Sequence, residues 1–292
     1  MRVNFTKMHG AGNDFVFLNG LAGSLPQDLA AFSQQICHRR FGVGADQVLI
    51  VMPSIEADFR MDIFNADGGR VEMCGNGIRC FSKYVLDQNL TQKTELTIET
   101  LGGLIRPSVV VGHGRETANT LWVKVDMGEP ILEAAKIPTR GNGKLIASEF
   151  TPANKTGLLP NDPTTFKITT VSMGNPHCVI FVNDVASFPV TRIGPAIETD
   201  TFFPNRTNVE FVEVKNRRAL VQRTWERGAG ETYACGTGAS AVLVAAVLSG
   251  LTERSATISL KGGELDIDWN EKTNHVFMTG PATTVFEGSL IL

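Results

Sequence analysis

The 292-residue sequence has no long apolar segment, no excess of basic charge and no paired-cysteine motif. Its longest apolar run, residues 239–248, is too short to cross a bilayer. Residues 1–7 lack the apolar core of a signal peptide. With a net charge of −3 and no basic stripe interleaved with aromatic residues, we expect neither nucleic-acid nor membrane binding. These absences predict a cytoplasmic protein.

The five cysteines do not form a recognisable disulfide or metal-binding pattern. Their number is odd and no secretory signal is present, so we expect no disulfide framework. There is no Cys-x-x-Cys or His-x-x-x-His, and Cys74 and Cys80 would lie on different sides of a helix, so no metal site is expected. Cys37, Cys80 and Cys178 fit the ordinary role of small buried apolar side chains. Cys74 and Cys235 differ, because glycine and polar residues surround each of them.

Those two cysteines begin an internal repeat. Residues 74–77 read Cys-Gly-Asn-Gly, and residues 235–238, which lie 161 positions later, read Cys-Gly-Thr-Gly. Further matches occur in the same order: Gly12-Asn13 with Gly174-Asn175, Gln47-Val48 with Asn208-Val209, Phe64-Asn65 with Trp225-Glu226, and Gly102-Gly103 with Gly262-Gly263. Ordered matches at a nearly constant offset indicate duplication. They predict two domains, residues 1–127 and 128–280, with a tail at 281–292 that packs back on the first domain.

Each cysteine is followed by a predicted helix, over residues 75–88 and 236–250, among many predicted strands. The second helix is apolar on every side, which indicates burial all round. The first is more amphipathic, and we expect it to be less enclosed. The pattern predicts an α+β protein with two pseudo-symmetric lobes, each a mixed, barrel-like sheet wrapped around a central helix.

A thiol at a helix N-terminus is suited to proton transfer, because free N–H groups and the helix dipole stabilise a thiolate. Two such thiols on opposite faces of a substrate would supply the base and the acid that racemisation needs. The N–H groups of Gly75, Asn76, Gly236 and Thr237 could bind the substrate carboxylate and stabilise its developing charge. The residues therefore predict a racemase or epimerase that needs no cofactor.

Several motifs resemble those of diaminopimelate epimerases, and the similarity runs from residue 3 to about residue 285. They are His9-Gly-Ala-Gly-Asn-Asp-Phe15, Phe64-Asn-Ala-Asp-Gly68, Glu72-Met-Cys-Gly-Asn-Gly-Ile-Arg-Cys80, Gly174-Asn-Pro-His177, Trp225-Glu-Arg-Gly228 and Ala234-Cys-Gly-Thr-Gly238. The resemblance implies two barrel-like lobes with the active site in the cleft between them. It also implies interconversion of LL- and meso-diaminopimelate by two bases without pyridoxal phosphate, on the route to lysine and peptidoglycan. A homodimer is expected.

The resemblance also assigns roles to individual residues. Cys74 and Cys235 match the catalytic pair, while Glu226 and Arg227 match the pair that holds the distal end of the substrate. His177, together with Glu226, matches residues that tune the thiols. The remaining side-chain contacts to substrate are Asn13, Gln47, Asn65, Asn175 and Asn208. Residues 140–163 match no motif.

Three alternatives remain open. A proline or hydroxyproline racemase would also use two thiols, but its substrate has one charged end and gives Glu226 and Arg227 no purpose. A hydrolase pairing His177 with one of the two cysteines would leave the other idle. A redox module would cycle Cys74 and Cys235 through a disulfide. Only an epimerase or racemase exchanges the α-hydrogen of a free amino acid with solvent, so deuterium exchange separates these classes.

Overall fold

The fold was analysed in a computed structural model, which describes residues 2–23, 25–153, 155 and 157–291. The chain divides into two compact units, one formed by Met1–Asp126 with Thr279–Leu292 and the other by Met127–Met278. Met1 and Leu292, at the ends of the predicted ranges, lie outside the described residues.

The first unit is a ring of strands around one helix. Its strands are β1 (Arg2–Gly10), β2 (Asn13–Asn19), β3 (Gln47–Met52), β4 (Phe59–Asn65), β5 (Ile98–Thr100), β6 (Gly103–Ile105), β7 (Ser108–Val110), β8 (Thr120–Asp126) and the part of β17 (Val276–Ile291) from Thr279 onwards. Hydrogen-bonded pairing runs from β17 through β1, β2, β3 and β4 to β5. The backbones of residues 94–96 and 107–109 then pair, and β7, β8 and β17 complete the ring. The pairing thus closes the sheet on itself, and β6 adds to β5.

Helix α2 (Gly75–Asp87) lies inside this ring and contacts β1, β2, β3, β7 and β8. The expectation that it would be less enclosed is wrong, since its ten residues from 76 to 85 are all buried. Two charged side chains of its polar face find partners inside the unit. Arg79 Nε donates to the Pro281 carbonyl at 3.2 Å, and Lys83 Nζ donates to Asp87 at 2.6 Å. An amphipathic helix can be enclosed when such partners satisfy its charges.

The second unit repeats this plan. Its strands are β9 (Ser148–Phe150), β10 (Phe166–Ser172), β11 (Pro176–Phe181), β12 (Asn208–Asn216), β13 (Ala219–Glu226), β14 (Gly230–Thr232), β15 (Ser255–Leu260) and β16 (Gly263–Trp269). The pairing order is β9, β10, β11, β12, β13, β15 and β16, and β14 adds to the end of β13. Helix α4 (Gly236–Leu248) contacts five of these strands and is buried from Gly238 to Ala246, as predicted from its apolar sequence. The mixed, sheet-dominated α+β class is confirmed.

One helix covers the outside of each sheet. Helix α1 (Leu29–Cys37) packs on β3 and β4, and its N-terminus is capped by the Asp28 side chain, which accepts from Ala31 N at 3.0 Å. Helix α3 (Val190–Glu198) packs on β12, β13 and β14. A short 3₁₀ helix (Ala134–Lys136) precedes the predicted loop at 151–163, whose described residues form no helix or strand. Within the described chain, no helix has the length and apolar character needed to cross a membrane.

Candidate active site

The predicted polar residues of the first unit lie at one end of its sheet. Asn13 begins β2, Gln47 begins the parallel strand β3, and Asn65 ends the antiparallel strand β4. Gln47 and Asn65 are direct partners across β3 and β4, and Gln47 Nε2 donates to Asn65 Oδ1 at 2.9 Å. Strand direction therefore places three amide side chains from distant parts of the sequence at a single edge.

Cys74 lies at this edge, at the N-terminus of α2. It is the N-cap residue with extended backbone angles (φ −139°, ψ 110°), and its carbonyl accepts the first helical hydrogen bond from Ile78 N at 2.9 Å. Its thiol donates to Asn13 Oδ1 at 3.7 Å, and Asn76 Nδ2 donates to the same oxygen at 3.2 Å. The N–H groups of the first helical turn have no intrahelical acceptor and are available to an anion. The structure thus brings together Cys74, Asn13 and Asn76.

The orientation of the Asn13 amide is set by an acidic group, Asp46, which was not predicted from the sequence. Asn13 Nδ2 donates to Asp46 Oδ2 at 2.7 Å, so its carbonyl oxygen must face the thiol. Asp46 in turn accepts from Arg39 at 2.7 Å, and Arg39 also binds Asp14. Burial alone would raise the pKa of Asp14, but hydrogen bonds from Arg39 and Lys7 lower it to about 2. This charged network holds the start of β2 in place.

A permanent positive charge lies close to Cys74. The Arg79 side chain is fully buried on α2 and interacts electrostatically with the thiols of Cys80 and Cys74. Burial lowers the pKa of Arg79 to about 10, which leaves the guanidinium charged at neutral pH. The charge favours the anionic form of a neighbouring thiol.

The second unit presents an equivalent edge. Asn175 immediately precedes β11, Asn208 begins the parallel strand β12, and Glu226 ends the antiparallel strand β13. Cys235 is the N-cap of α4, with backbone angles close to those of Cys74 (φ −126°, ψ 108°), and its carbonyl accepts from Ala239 N at 2.9 Å. The duplication visible in the sequence is therefore also a duplication of site geometry.

The surroundings of Cys235 are acidic. Its thiol lies 3.5 Å from Thr237 Oγ1, and the charge of Glu226 acts on it. Glu226 Oε1 accepts from Thr232 Oγ1 at 2.6 Å. Burial raises the pKa of Cys235 well above its usual range, and the charges of Glu226 and Glu210 add to this effect. Hydrogen bonds from Thr237 and from the Gly238 N–H act in the opposite direction but are outweighed. The expectation that the helix N-terminus would favour a thiolate is wrong for Cys235, because desolvation and two carboxylates dominate.

Glu226 is itself affected by this environment. Burial raises the pKa of its carboxyl group, and the charge of Glu210 adds to the effect. Hydrogen bonds from Thr232 and Cys235, and the charge of His177, act in the opposite direction. Glu226 therefore lies within one electrostatic cluster with Cys235, Glu210 and His177.

Arg227 follows Glu226 and is held through its backbone. Asn208 is buried, and its amide accepts from Arg227 N at 2.9 Å and donates to the Pro176 carbonyl at 2.9 Å. The exposed Arg227 guanidinium donates to the Asn205 carbonyl at 3.2 Å through Nη1. In this structure the Asn208 side chain thus positions Arg227, while its predicted contact with substrate stays a prediction.

His177 is completely buried between two polar partners. Its Nδ1 lies 2.7 Å from Glu210 Oε1, and its Nε2 lies 3.0 Å from Asn175 Oδ1. It reaches Cys235 only indirectly, through the electrostatic cluster that contains Glu226 and Glu210.

Three residues near the cysteines, Asp46, Arg79 and Glu210, were not predicted from the sequence. The sequence does point to Glu210. It follows Asn208 by two residues in a strand, so the two side chains must lie on the same face of the sheet. A charged residue within the apolar run Val209–Val212 is also unusual for a strand buried on both sides. Among the described residues, no group of three or more His, Cys, Asp or Glu side chains could hold a metal ion.

Comparison with known proteins identifies the family. The model of the diaminopimelate epimerase family matches residues 5–133 and 169–285, which contain Cys74 and Cys235 respectively. The diaminopimelate epimerase of Moorella thermoacetica is 50% identical over 290 residues, covering 99% of this chain and 100% of that protein. The diaminopimelate epimerase of Methanococcus maripaludis is 46% identical over 290 residues, covering 99% of each chain.

Solved structures share the fold at low sequence identity. A phenazine biosynthesis protein of the PhzF family from Bacillus anthracis aligns with a TM-score of 0.75 at 15% identity, covering 100% of both chains. A hydroxyproline epimerase from Agrobacterium vitis, with bound trans-4-hydroxy-L-proline, aligns with a TM-score of 0.65 at 14% identity, covering 100% of this chain and 93% of that one. These likenesses concern the fold alone, whereas the family match and the close relatives concern the whole sequence. The chain belongs to the diaminopimelate epimerase family, as its motifs predicted, and is an enzyme of the epimerase class.

Proposed function

We propose that this enzyme interconverts LL- and meso-2,6-diaminopimelate by a two-base mechanism in which Cys74 and Cys235 act on opposite faces of one α-carbon. One observation carries the proposal: each unit holds a cysteine as the N-cap of its central helix, at the polar edge of its sheet. The same two cysteines lie in the segments that match the diaminopimelate epimerase family.

In the proposed reaction, a thiolate removes the α-proton while the opposite thiol delivers its own proton to the same carbon. The bond from carbon to the departing hydrogen breaks as the new one forms, so the two thiols exchange protonation states and no electrons leave the substrate. Charge that develops on the α-carboxylate needs strong stabilisation. We assign this role to the N–H groups of Gly75 and Asn76 in one unit and of Gly236 and Thr237 in the other.

The charges around the two cysteines support one protonation state of the free enzyme. Cys74 interacts with the buried Arg79 guanidinium, whereas Cys235 is affected by the carboxylates of Glu226 and Glu210. A cation stabilises a thiolate and an anion stabilises a thiol. We therefore assign Cys74 as the thiolate base and Cys235 as the thiol acid in the free enzyme. The roles reverse for the opposite reaction direction.

Substrate selection is assigned to Glu226 and Arg227. Diaminopimelate has an amino-acid group at each end, so the distal end needs both a cationic and an anionic partner. The planar Arg227 guanidinium is suited to bind a carboxylate with two hydrogen bonds, and Glu226 can pair with an ammonium group. The amides of Asn13, Gln47, Asn65, Asn175 and Asn208 supply further hydrogen-bonding groups at the two edges.

Purified protein should be incubated with LL-diaminopimelate in deuterated water, without added pyridoxal phosphate or metal. Because the donor thiol exchanges with solvent, meso product should carry one α-deuterium while the remaining LL substrate stays largely unlabelled at early times. Absence of both meso product and exchange, with folded protein, would refute the proposal. A parallel incubation with L-proline tests the racemase alternative, and turnover of proline in preference to diaminopimelate would favour it.

A cytoplasmic location, a homodimeric assembly and the two predicted lobes at residues 1–127 and 128–280 stay predictions. Subcellular fractionation, light scattering coupled to size-exclusion chromatography and limited proteolysis test them in turn.

A further inference from the structure

The outer helices α1 and α3 are equivalent in the repeat but end on chemically different residues. Both their first and their last residues are 161 positions apart, which is the offset of the two cysteines. Helix α1 ends at the buried Cys37, whereas α3 ends at Glu198, which is only 5% exposed. A buried carboxylate needs hydrogen-bond donors around it. The second unit thus buries an acidic group where the first has a small apolar side chain.

The donors to Glu198 come from both sides of one hairpin loop. Trp225 Nε1 donates to Oε2 at 2.7 Å, and Gly228 N donates to Oε1 at 2.9 Å. Residues 227–229 connect β13 to β14 and are exposed. The Arg206 guanidinium is a more distant donor, at 3.5 Å from Oε1, and is more than half exposed. The carboxylate therefore joins the strand before the loop to the backbone of the loop itself.

The first unit has the same loop with the same closing hydrogen bond. Ala229 N donates to the Glu226 carbonyl at 3.1 Å, and Gly68 N, 161 positions earlier, donates to the Asn65 carbonyl at 2.9 Å. The turn of the first unit forms beside Cys37, so its backbone does not require a carboxylate at the end of the outer helix. The role of Glu198 must therefore be sought in the side chains of the second loop.

Three positions around the loop change together between the units. In the second unit they carry charged or hydrogen-bonding side chains and in the first unit small or apolar ones: Glu198 corresponds to Cys37, Trp225 to Phe64 and Arg227 to Ala66. Arg227 is the residue to which we assign the distal carboxylate of the substrate. The carboxylate and its indole donor thus occur in the unit whose loop carries this guanidinium, which indicates that they serve it.

The loop is fixed at two consecutive N–H groups. Arg227 N donates to Asn208 Oδ1 at 2.9 Å, and the next amide, Gly228 N, donates to Glu198. Fixing an exposed loop reduces the conformational entropy lost when its side chain binds a ligand. A carboxylate suits this role because both of its oxygens accept hydrogen bonds, whereas a carboxamide has one accepting oxygen.

We propose that Glu198 is a positioning residue which, by accepting from both Trp225 and Gly228, holds the loop at residues 227–229 so that Arg227 can bind the distal carboxylate of the substrate. The proposal rests on the proposed function for the identity of that substrate. Glu198 acts through Arg227 and does not touch substrate in this scheme.

The test replaces Glu198 by Gln, which keeps the shape but leaves one of the two N–H donors without an acceptor in either orientation of the amide. Hydrogen exchange followed by ¹⁵N NMR measures the protection of the Gly228 amide and of the Trp225 indole, whose signal is assigned with Trp225→Phe. At least one of the two should exchange faster in Glu198→Gln. With diaminopimelate, KM should rise roughly tenfold while kcat changes much less, because the loop is held loosely before substrate binds.

A double-mutant cycle separates positioning from a general structural role. In an Arg227→Lys background, where the bidentate contact is already absent, Glu198→Gln should raise KM by no more than about twofold. Glu213→Gln is the matched control, since Glu213 lies on β12 and pairs with Lys215, and it should change neither readout. Arg206→Gln removes the exposed partner of Glu198 but neither N–H donor, and it should keep the KM of the wild type.

Trp225→Phe places the residue of the first unit at this position and removes one contact without changing the carboxylate. It should raise KM in the same direction, and it keeps the test decisive if Glu198→Gln folds poorly. Unchanged protection of both N–H groups in Glu198→Gln, or an equal rise in KM with and without the Arg227 guanidinium, would overturn the proposal. An equal rise in Arg206→Gln would also overturn it, because the ion pair would then account for the effect. Faster exchange in Glu198→Gln, in a protein that does not epimerise diaminopimelate, would support the anchor and count against the proposed function alone.

Discussion

Replacing Glu226 by Gln tests the electrostatic asymmetry between the two thiols. The amide keeps the size of the carboxylate and can still accept from Thr232, but it carries no charge. Because the Glu226 carboxylate is one cause of the raised pKa of Cys235, its neutralisation should lower that pKa. Cys235 should then be a thiolate over a larger part of the neutral pH range and a poorer proton donor.

The size of the effect follows from the repulsion between the two negative charges. Two unit charges about 4 Å apart repel by about 4 kcal/mol at an effective dielectric constant near 20. At about 1.4 kcal/mol per factor of ten, removal of this repulsion increases the thiolate fraction by up to roughly 10³-fold. A less basic thiolate is also a weaker nucleophile, with a Brønsted coefficient of about 0.4–0.5. The net gain in alkylation rate near neutral pH is therefore roughly 30-fold.

The assay is alkylation by iodoacetamide, followed at the Cys235 peptide by mass spectrometry as a function of pH. Glu231→Gln is the control, because Glu231 lies in the same unit but pairs with Arg223 and Lys261. Its alkylation profile at Cys235 should match that of the wild type. Epimerisation by Glu226→Gln should fall by about 10²-fold or more, as expected when an acid–base partner is disturbed. An unchanged or slower alkylation of Cys235 in Glu226→Gln would show that the carboxylate does not control this thiol.

Three further results are expected. Cys74→Ala and Cys235→Ala should each abolish epimerisation with unchanged circular dichroism, and near-normal turnover by either variant would disprove the two-base assignment. Arg227→Lys should lower kcat/KM for diaminopimelate by roughly 10²-fold through loss of the bidentate contact, whereas Arg218→Lys, at an exposed ion pair with Glu253, should not. Asp14 has its pKa lowered from 3.8 to about 2, so its contribution to stability is present above pH 4 and is lost as the pH falls towards 2. Urea unfolding should therefore show a penalty for Asp14→Asn at neutral pH that shrinks over this acidic range; a constant penalty would contradict the assignment.

Local and periodic features of the fold were accessible from the sequence. The repeat of Cys-Gly-x-Gly at an offset of 161 residues predicted two equivalent helix starts, and both cysteines are N-cap residues. The unbroken apolar pattern of residues 239–248 predicted a helix buried all round. These features depend on residues that are close in the chain, or on side-chain periodicity, and tertiary contacts leave them unchanged.

The burial of α2 and the charges around Cys235 could be known only from the tertiary structure. The amphipathic helix α2 is buried because a strand from the C-terminal end of the chain provides the Pro281 carbonyl for Arg79. The acidic environment of Cys235 arises from Glu226 and Glu210 on two different strands. Both cysteines begin a Cys-Gly-x-Gly sequence, which predicts the same helix-terminus effect on both thiols. Desolvation and the charges of groups distant in sequence outweigh that local effect at Cys235, and only the folded chain brings those groups together.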